Sequence, residues 1–244
     1  MSYRAEELLI TTIADMLDGI GHVAVGAASP IPGAAALLAR HRSGGRLRVS
    51  LLGSTRHTSW TDGGRELFDC AAQGRIDAFF LGGAQIDGGA NINLVGIGDY
   101  PRASVRFPGS FGSSYLYFLV PRVILFSMEH SRRVLVPKVD FVSAPGTSPP
   151  GVYRPGGPYA LVTNRCVFDF DRATGRFVLR SVHPGESVDS VREHTGFEFR
   201  QPAEVAATPA PSEGDLALIR GAIRGDIAEV YPAFAARVLD AARA

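Results

Sequence analysis

Residues 79–112 read FFLGGAQIDGGANINLVGIGDYPRASVRFPGSFG. Two glycine clusters, Gly82-Gly83 and Gly109 to Gly112, flank a polar run that contains Gln85, Asp87, Asn91 and Asn93. Glycine lets a backbone approach a ligand closely, and its N–H groups can face an oxyanion or a phosphate. Asp and Asn beside such loops also fix turns by bonding their own backbone. From the residues alone, a ligand loop and ordinary turns of an α/β domain both remain open.

The segment before these glycines alternates helices and strands. Helical spacing of apolar residues runs from Leu9 to Ile20, and Ala34–Arg40 and Glu66–Gln73 are predicted helices. The predicted strands are His22–Gly26, Arg46–Leu52 and Ile76–Leu81. Arg46–Leu52 is apolar on both faces apart from Arg48, which is typical of a parallel sheet covered by helices. The order predicts an α/β fold with an open, mostly parallel, doubly wound sheet. Ligands bind beyond the carboxyl ends of such strands, so loops 27–33, 53–64 and 82–93 are candidate site segments.

The second half of the chain is predicted to add extra strands. They are Arg122–Met128, Val139–Ser143, Ala160–Thr163, Val167–Phe170 and Arg176–Ser181, with short helices at Ser113–Leu119 and Ser187–His194. Residues 144–158 are rich in Pro and Gly and predict a long loop, and Gln201–Pro211 is predicted to be a spacer. Ser212 has capping-box spacing and is predicted to open a helical tail over about 212–244. We predict a single domain over residues 1–244.

Bulk composition excludes several classes of protein. The chain has 244 residues, 45% of them apolar, and a formal net charge of +1 without a basic stripe, so we expect no nucleic-acid partner. Cys70 and Cys166 form no disulfide framework, which favours a cytoplasmic location. No metal-binding motif, membrane-spanning run or signal peptide is expected, the last because Glu6 and Glu7 stand near the first residue.

Several motifs in one order resemble the β subunit of class I CoA-transferases, of the glutaconate CoA-transferase kind. They are LGGAQIDGGANIN (81–93), VGIGDY (95–100), MEHSRRVLVPKVDFVSAPG (128–146), the stretch 184–199 and DLALIR (215–220). The resemblance implies a fold like that of ribose-phosphate isomerase and a coenzyme A thioester as substrate, with no permanently bound cofactor. It also implies an α-type partner subunit, an α2β2 heterotetramer and a site shared between the subunits.

The resemblance also implies a catalytic glutamate at the end of the second strand. Its carboxylate attacks the acyl-CoA carbonyl and becomes an acyl anhydride and then a glutamyl-CoA thioester. In this chain the matching position falls on Leu51, which has no nucleophilic atom, and Ser50 to Ser54 includes no carboxylate. Straightforward CoA transfer therefore lacks its nucleophile here.

A subgroup that resembles CoA-transferases, the ring-opening hydrolases of steroid breakdown, also lacks this glutamate. The chain shares with its β subunits Arg4-Ala5-Glu6, VFDF (167–170) and SVHPG (181–185). We therefore expect an enzyme subunit that favours hydrolysis or carbon–carbon ring opening of a cyclic β-oxoacyl-CoA. A non-catalytic scaffold or ligand-binding subunit, and a true CoA-transferase with another nucleophile, remain alternatives. A sugar-phosphate isomerase is disfavoured because Lys138 is the only lysine. A nucleotide-binding oxidoreductase is disfavoured because no GxGxxG follows the first strand.

The candidate site residues follow from these arguments. His57, in a polar loop, and Glu129, past a strand end, are candidates for acid/base catalysis. Backbone N–H groups of the first glycine cluster are candidates for an oxyanion hole. The predicted coenzyme A contacts are Gly82, Gly83, Ala84, Gln85, Asp87, Asn91, Gly109 and Gly112.

Overall fold

The computed structural model describes residues 2–240. The helices are α1 (Ala5–Asp15), α2 (Pro30–Arg42), α3 (Gly63–Ala72), α4 (Ser113–Leu119), α5 (Val188–His194), α6 (Glu213–Leu218), α7 (Arg224–Val230) and α8 (Pro232–Val238), with a π-helical turn at Ile219–Ile223. The strands are β1 (His22–Val25), β2 (Arg48–Leu51), β3 (Ala78–Leu81), β4 (Gln85–Ile86), β5 (Ile92–Asn93), β6 (Gly96–Ile97), β7 (Val105–Arg106), β8 (Arg122–Ser127), β9 (Pro158–Thr163), β10 (Cys166–Asp171), β11 (Arg176–Val182) and β12 (Ala206–Ala207).

The chain separates into two compact units. One comprises the residues up to Phe80 and those from Pro209 onward, and the other comprises Leu81–Thr208. The prediction of a single domain over residues 1–244 stays a prediction, and residues 241–244 of the predicted helical tail lie outside the described residues.

Parallel strands form the centre of the first unit. β1 is parallel to both β2 and β3, with Val23 opposite Val49 on one side and Ala78 on the other. β1 is completely buried, and β2 exposes only Arg48, because strands covered on both faces need apolar residues at nearly every position. This arrangement confirms the predicted α/β class.

The C-terminal helices complete the first unit. Ile219, Ile223 and Ile227 recur every four residues and are fully buried, and the π-helical turn and α7 pack against α2. The Ser212 hydroxyl accepts the Asp215 N–H at 3.1 Å, which confirms the predicted helix start.

The second unit combines a parallel pair with an antiparallel meander. β8 pairs in parallel with β9, β9–β10–β11 are antiparallel, and β12 pairs in parallel with β11. Two short antiparallel ribbons, β4–β5 and β6–β7, stand in the glycine-rich segment. The Phe168 ring lies 5.0 Å from Phe199 and 5.8 Å from Phe177, so aromatic packing supports the meander.

Three predicted elements differ from the structure. Helix α2 begins at Pro30, because the missing N–H of proline costs nothing in a first helical turn, so the loop predicted over 27–33 is shorter. The strand predicted at Val139–Ser143 is wrong: these residues form no strand, and the adjacent Ala144 makes only an isolated bridge with Ile92. The spacer over 201–211 contributes the short strand β12.

No helix within residues 2–240 has the length and apolar character that crossing a membrane requires.

Candidate active site

The polar side chains of the glycine-rich segment turn inward and brace one another. Asn93, fully buried, donates from Nδ2 to Gln85 Oε1 and to the Gly96 carbonyl, both at 2.7 Å. Gln85 Oε1 also accepts the Asp140 N–H at 3.0 Å. These bonds tie β4 to β5 and fix the shape of the segment, so Gln85 is engaged within the fold.

Asp87 closes a tight turn over residues 87–91. Its Oδ1 accepts the N–H groups of Gly89 at 3.0 Å and Asn91 at 3.1 Å, and the Asn91 side chain donates to both carboxylate oxygens. Asn91 Oδ1 in turn accepts the Gly146 N–H at 3.1 Å. A short polar side chain that bonds its own backbone is the usual device for fixing such turns. A part for Asp87 or Asn91 in coenzyme A binding stays a prediction.

Close packing accounts for several of the glycines. A Cβ at Gly83 would lie 2.6 Å from Ile92 Cγ2, and one at Gly109 would lie 2.5 Å from the Leu94 carbonyl oxygen. Gly112 has φ +69° immediately before α4. Gly82 is exposed at the end of β3. Ala84 donates its N–H to the Asn93 carbonyl at 2.9 Å, so this N–H is already used inside the ribbon.

The turn after β2 presents no carboxylate of its own. Leu51 is completely buried, and it packs so closely on Gly33 in α2 that a Cβ added at Gly33 would lie 3.3 Å from Leu51 Cδ1. Ser50 is buried as well and bonds His22 Nε2 at 2.9 Å. Leu52 is half-buried. Position 51 therefore belongs to the core of the first unit, where a charged side chain would be costly.

Glu229 on α7 brings a carboxylate to this turn from far along the chain. Ser54 Oγ donates to Glu229 Oε2 at 2.7 Å, and Thr55 donates to Oε1 from both its N–H, at 2.9 Å, and its hydroxyl. The hydrogen bonds from Thr55 and Ser54 lower the pKa of Glu229 to about 2. The residue is therefore ionised at neutral pH, and its acceptor positions hold the loop.

His57 lies in the same loop beside a second carboxylate of α7. Its Nε2 is 3.1 Å from Asp226 Oδ2, and only 15% of the His57 side chain is exposed. Arg56 Nη1 approaches the other oxygen of Asp226 at 3.4 Å. The sequence pointed to His57 but not to Asp226 or Glu229. Their spacing of three on a helix was the available signal, and only the fold shows which loop they meet.

Glu129, the second predicted acid/base residue, pairs within its own segment. It accepts bonds from Arg133 Nε at 3.1 Å, from Arg133 Nη2 and from Ser131 Oγ at 2.5 Å. The bonds from Arg133 and Ser131 hold the pKa of Glu129 below its usual range. An ionised carboxylate that is 44% exposed and held by arginine has no proton to donate. A catalytic role for Glu129 stays a prediction that this geometry does not favour.

His130 does not pair with Glu129 but is enclosed by two hydroxyls. Thr195 Oγ1 donates to the Val191 carbonyl at 2.7 Å, so it accepts from His130 Nε2 at 2.9 Å. Nδ1 is then left to accept from Thr163 Oγ1 at 2.8 Å. Burial lowers the pKa of His130 to about 4, and the nearby Arg165 charge adds to the effect. His130 is therefore a neutral structural residue at pH 7.

Predicted site residues occur in both units, and His57 is joined by two carboxylates that the sequence did not predict. The first unit brings His57 together with Asp226 and Glu229, and the second holds the braced loop of residues 82–93. Within residues 2–240, no group of three or more His, Cys, Asp or Glu side chains is arranged to hold a metal ion.

Comparison with known proteins gives consistent matches. Residues 8–194 match the coenzyme A transferase family. The chain is 36% identical over 153 residues to a 3-oxoadipate CoA-transferase subunit of Pseudomonas knackmussii, over 60% of this chain and 58% of that protein. It is 32% identical over 160 residues to the cholesterol ring-cleaving hydrolase IpdB subunit of Rhodococcus jostii, over 64% of this chain and 62% of that protein. The chain thus aligns with less than two thirds of the length of each of these relatives.

A solved structure extends the likeness to the fold. The structure of IpdAB from Rhodococcus jostii RHA1 superposes with a TM-score of 0.80 at 26% identity, covering 91% of this chain and 94% of that chain.

Proposed function

This chain belongs to the coenzyme A transferase family, and from that premise we propose that it is a β-type subunit acting on an acyl-CoA thioester at a site shared with an α-type subunit. The relatives named above support the proposal, since one is a CoA-transferase subunit and another the IpdB subunit of a ring-cleaving hydrolase. The thioester is the substrate in this proposal, and an α2β2 assembly is the arrangement we infer.

The buried Leu51 carries our choice of reaction. In this proposal the family's covalent route needs a carboxylate at the end of the second strand, and the position that we match to it is Leu51, a buried core residue. Ser50 and Ser54 are 1% and 2% exposed, and both hydroxyls are engaged in hydrogen bonds, so neither is placed as a substitute nucleophile. We therefore favour direct attack of water over CoA transfer.

The reaction we propose is hydrolytic opening of a cyclic β-oxoacyl-CoA. Water adds to the ring ketone and gives up one proton to a base. The carbon–carbon bond between that carbonyl and the thioester α-carbon then breaks, and its electron pair is delocalised into the thioester. Protonation of the α-carbon completes the reaction, which consumes one water and leaves a carboxylic acid and an intact thioester.

In this proposal, backbone N–H groups of the glycine-rich loop at residues 82–93 stabilise the negative charge on the thioester oxygen. Because Ala84 has already donated its N–H, the backbone of Gly82 and Gly83 is the better candidate for this contact. The bracing by Gln85, Asp87 and Asn91 keeps this backbone in a fixed shape, as a preorganised site requires.

The inward orientation of those same side chains favours one alternative. Since Gln85, Asp87 and Asn91 form hydrogen bonds within the fold, the alternative is that the chain forms a non-catalytic wall of a pocket and the partner carries the catalytic residues. A CoA-transferase with a different nucleophile is the other alternative, and trapping a covalent intermediate separates the three.

The test uses this chain co-expressed with an α-type subunit from the same genome, with the α-type subunit alone as control. The complex is incubated with a panel of acyl-CoA thioesters, including cyclic β-oxoacyl-CoAs, in 18O-labelled water. We expect the label in the new carboxyl group and no CoA exchange between acids. A borohydride- or hydroxylamine-sensitive adduct on this chain, detected by mass spectrometry, would contradict the proposal. Equal turnover by the α-type subunit alone would support the scaffold alternative.

A further inference from the structure

The loop after β2 and helix α7 meet through a histidine and a carboxylate. His57 Nε2 is withdrawn from solvent, and its nearest polar partner is Asp226 Oδ2 at 3.1 Å, outside the usual hydrogen-bond angle. The two atoms are already within hydrogen-bond distance, so a small rotation of the imidazole ring aligns the Nε2–H with the carboxylate. Nδ1 forms no hydrogen bond among residues 2–240. One ring nitrogen thus faces an acid while the other is left uncommitted.

The loop that carries His57 is itself immobilised by α7. Glu229, one turn after Asp226, accepts three hydrogen bonds from Ser54 and Thr55. Ser54 Oγ accepts the N–H groups of Arg56 at 3.2 Å and His57 at 3.0 Å, and the His57 carbonyl accepts the Leu51 N–H at 2.8 Å. The backbone of His57 is therefore fixed relative to β2 and α7 before any ligand binds.

We propose that Asp226 is a positioning residue that holds His57 with its Nε2–H toward α7, so that Nδ1 serves as a proton-transfer group of the active site. An acid on one side of an imidazole selects the tautomer and stabilises the imidazolium formed when the other nitrogen takes a proton. The inference rests on the proposed function for the reaction that uses this proton. Asp226 and Glu229 lie outside residues 8–194, so the family match does not assign them.

In the proposed hydrolysis, Nδ1 accepts the proton released when water adds to the ring ketone. The resulting imidazolium keeps its Nε2–H on Asp226 and returns the Nδ1 proton to the thioester α-carbon after the carbon–carbon bond has broken. The proton balance closes within one turnover, and no oxidant or metal enters the step.

The first measurement needs no substrate. In 15N-labelled protein we expect a downfield ring N–H proton on His57 Nε2, assigned by its loss in His57→Gln. Asp226→Leu should abolish this signal, whereas Asp226→Glu should retain it. The matched control is Asp215→Leu, which removes another carboxylate of the C-terminal segment, one that pairs with Arg42 and not with His57. A signal that is absent from the folded wild type, or that survives in Asp226→Leu, would overturn the inference.

The second measurement uses the complex with the α-type subunit. We expect Asp226→Leu to lower kcat by at least ~10-fold with KM within about twofold of wild type, since a positioned acid/base group contributes ~10²–10⁴ in rate. Asp226→Glu should recover most of the loss, and Asp215→Leu should retain wild-type kcat. An unchanged kcat in folded Asp226→Leu would refute the role. If the wild-type complex turns over no thioester at all, the proposed function fails instead, and the ring N–H signal still decides the position of His57.

Discussion

The buried imidazole of His130 allows the loss of folding stability at low pH to be calculated from the structure. Its pKa is about 4 in the folded chain against 6.5 for a free histidine. Between pH 6.5 and pH 4 His130 binds a proton in the unfolded chain but not in the folded chain. The free energy of unfolding therefore falls as the pH is lowered through this range, and it stops falling below pH 4, where both states are protonated. A full separation of this size corresponds to about 3 kcal/mol, and between pH 7.5 and pH 5 the loss is about 2 kcal/mol.

Urea unfolding at pH 7.5 and pH 5 tests this reasoning when wild type is compared with His130→Gln. Glutamine has no titrating proton, so the variant should lose about 2 kcal/mol less than wild type over this interval, whatever its stability at pH 7.5. The other histidines with lowered pKa, His22 and His183, are present in both proteins and cancel. Losses that agree within ~0.5 kcal/mol between wild type and His130→Gln would refute the assignment of a buried neutral imidazole.

Three further substitutions, two of them with a matched control variant, probe the core and the turns by urea unfolding. Leu51→Glu should lower the free energy of unfolding by about 3 kcal/mol or more, because its carboxylate enters the core, and it should gain no CoA-transferase activity. The control Leu52→Glu should have a free energy of unfolding close to that of wild type. A stable Leu51→Glu variant that exchanges CoA would contradict this prediction. Arg220→Met should lower the free energy of unfolding by ~3–5 kcal/mol, because the Glu7 side chain, 1% exposed, loses its ion pair at 2.6 Å. The control Glu7→Gln should lower it by less, since it leaves no unpaired carboxylate buried. Gly146→Ala should lower the free energy of unfolding by ~1–3 kcal/mol, since its Cβ would lie 2.1 Å from the Gly89 carbonyl oxygen. A variant as stable as wild type would show that the backbone relaxes around the added methyl group without cost.

Local patterns in the sequence predict most of the regular elements. The strands β1 and β2 are predicted from short runs that are mainly apolar and buried. The side chain of Ser212 marks a helix start. The strand prediction for Val139–Ser143 is wrong because the segment forms no ladder of hydrogen bonds, although Val139 is buried, and apolar composition alone cannot distinguish the two cases.

The candidate site was only partly accessible to the same reasoning. Glycine and polar residues at 82–93 identify an unusual loop, but whether Asp87 faces a ligand or its own backbone depends on side-chain direction. The partners of His57 stand on α7, and no local pattern links a loop to a helix so much later in the chain. Such pairs follow from tertiary packing and become visible only once α7 is placed against the first unit.

The two-segment construction of the first unit fixes an order of events during protein synthesis. When Thr208 has been translated, every residue of the second unit exists, whereas α1, α2 and the parallel strands still lack the isoleucine face of the C-terminal segment. Translation of the remaining residues takes seconds at ~5–20 residues per second, a long interval compared with hydrophobic collapse. Of the two units, the first is therefore the later to be completed, and the apolar faces that Ile219, Ile223 and Ile227 cover stay uncovered until that segment is made.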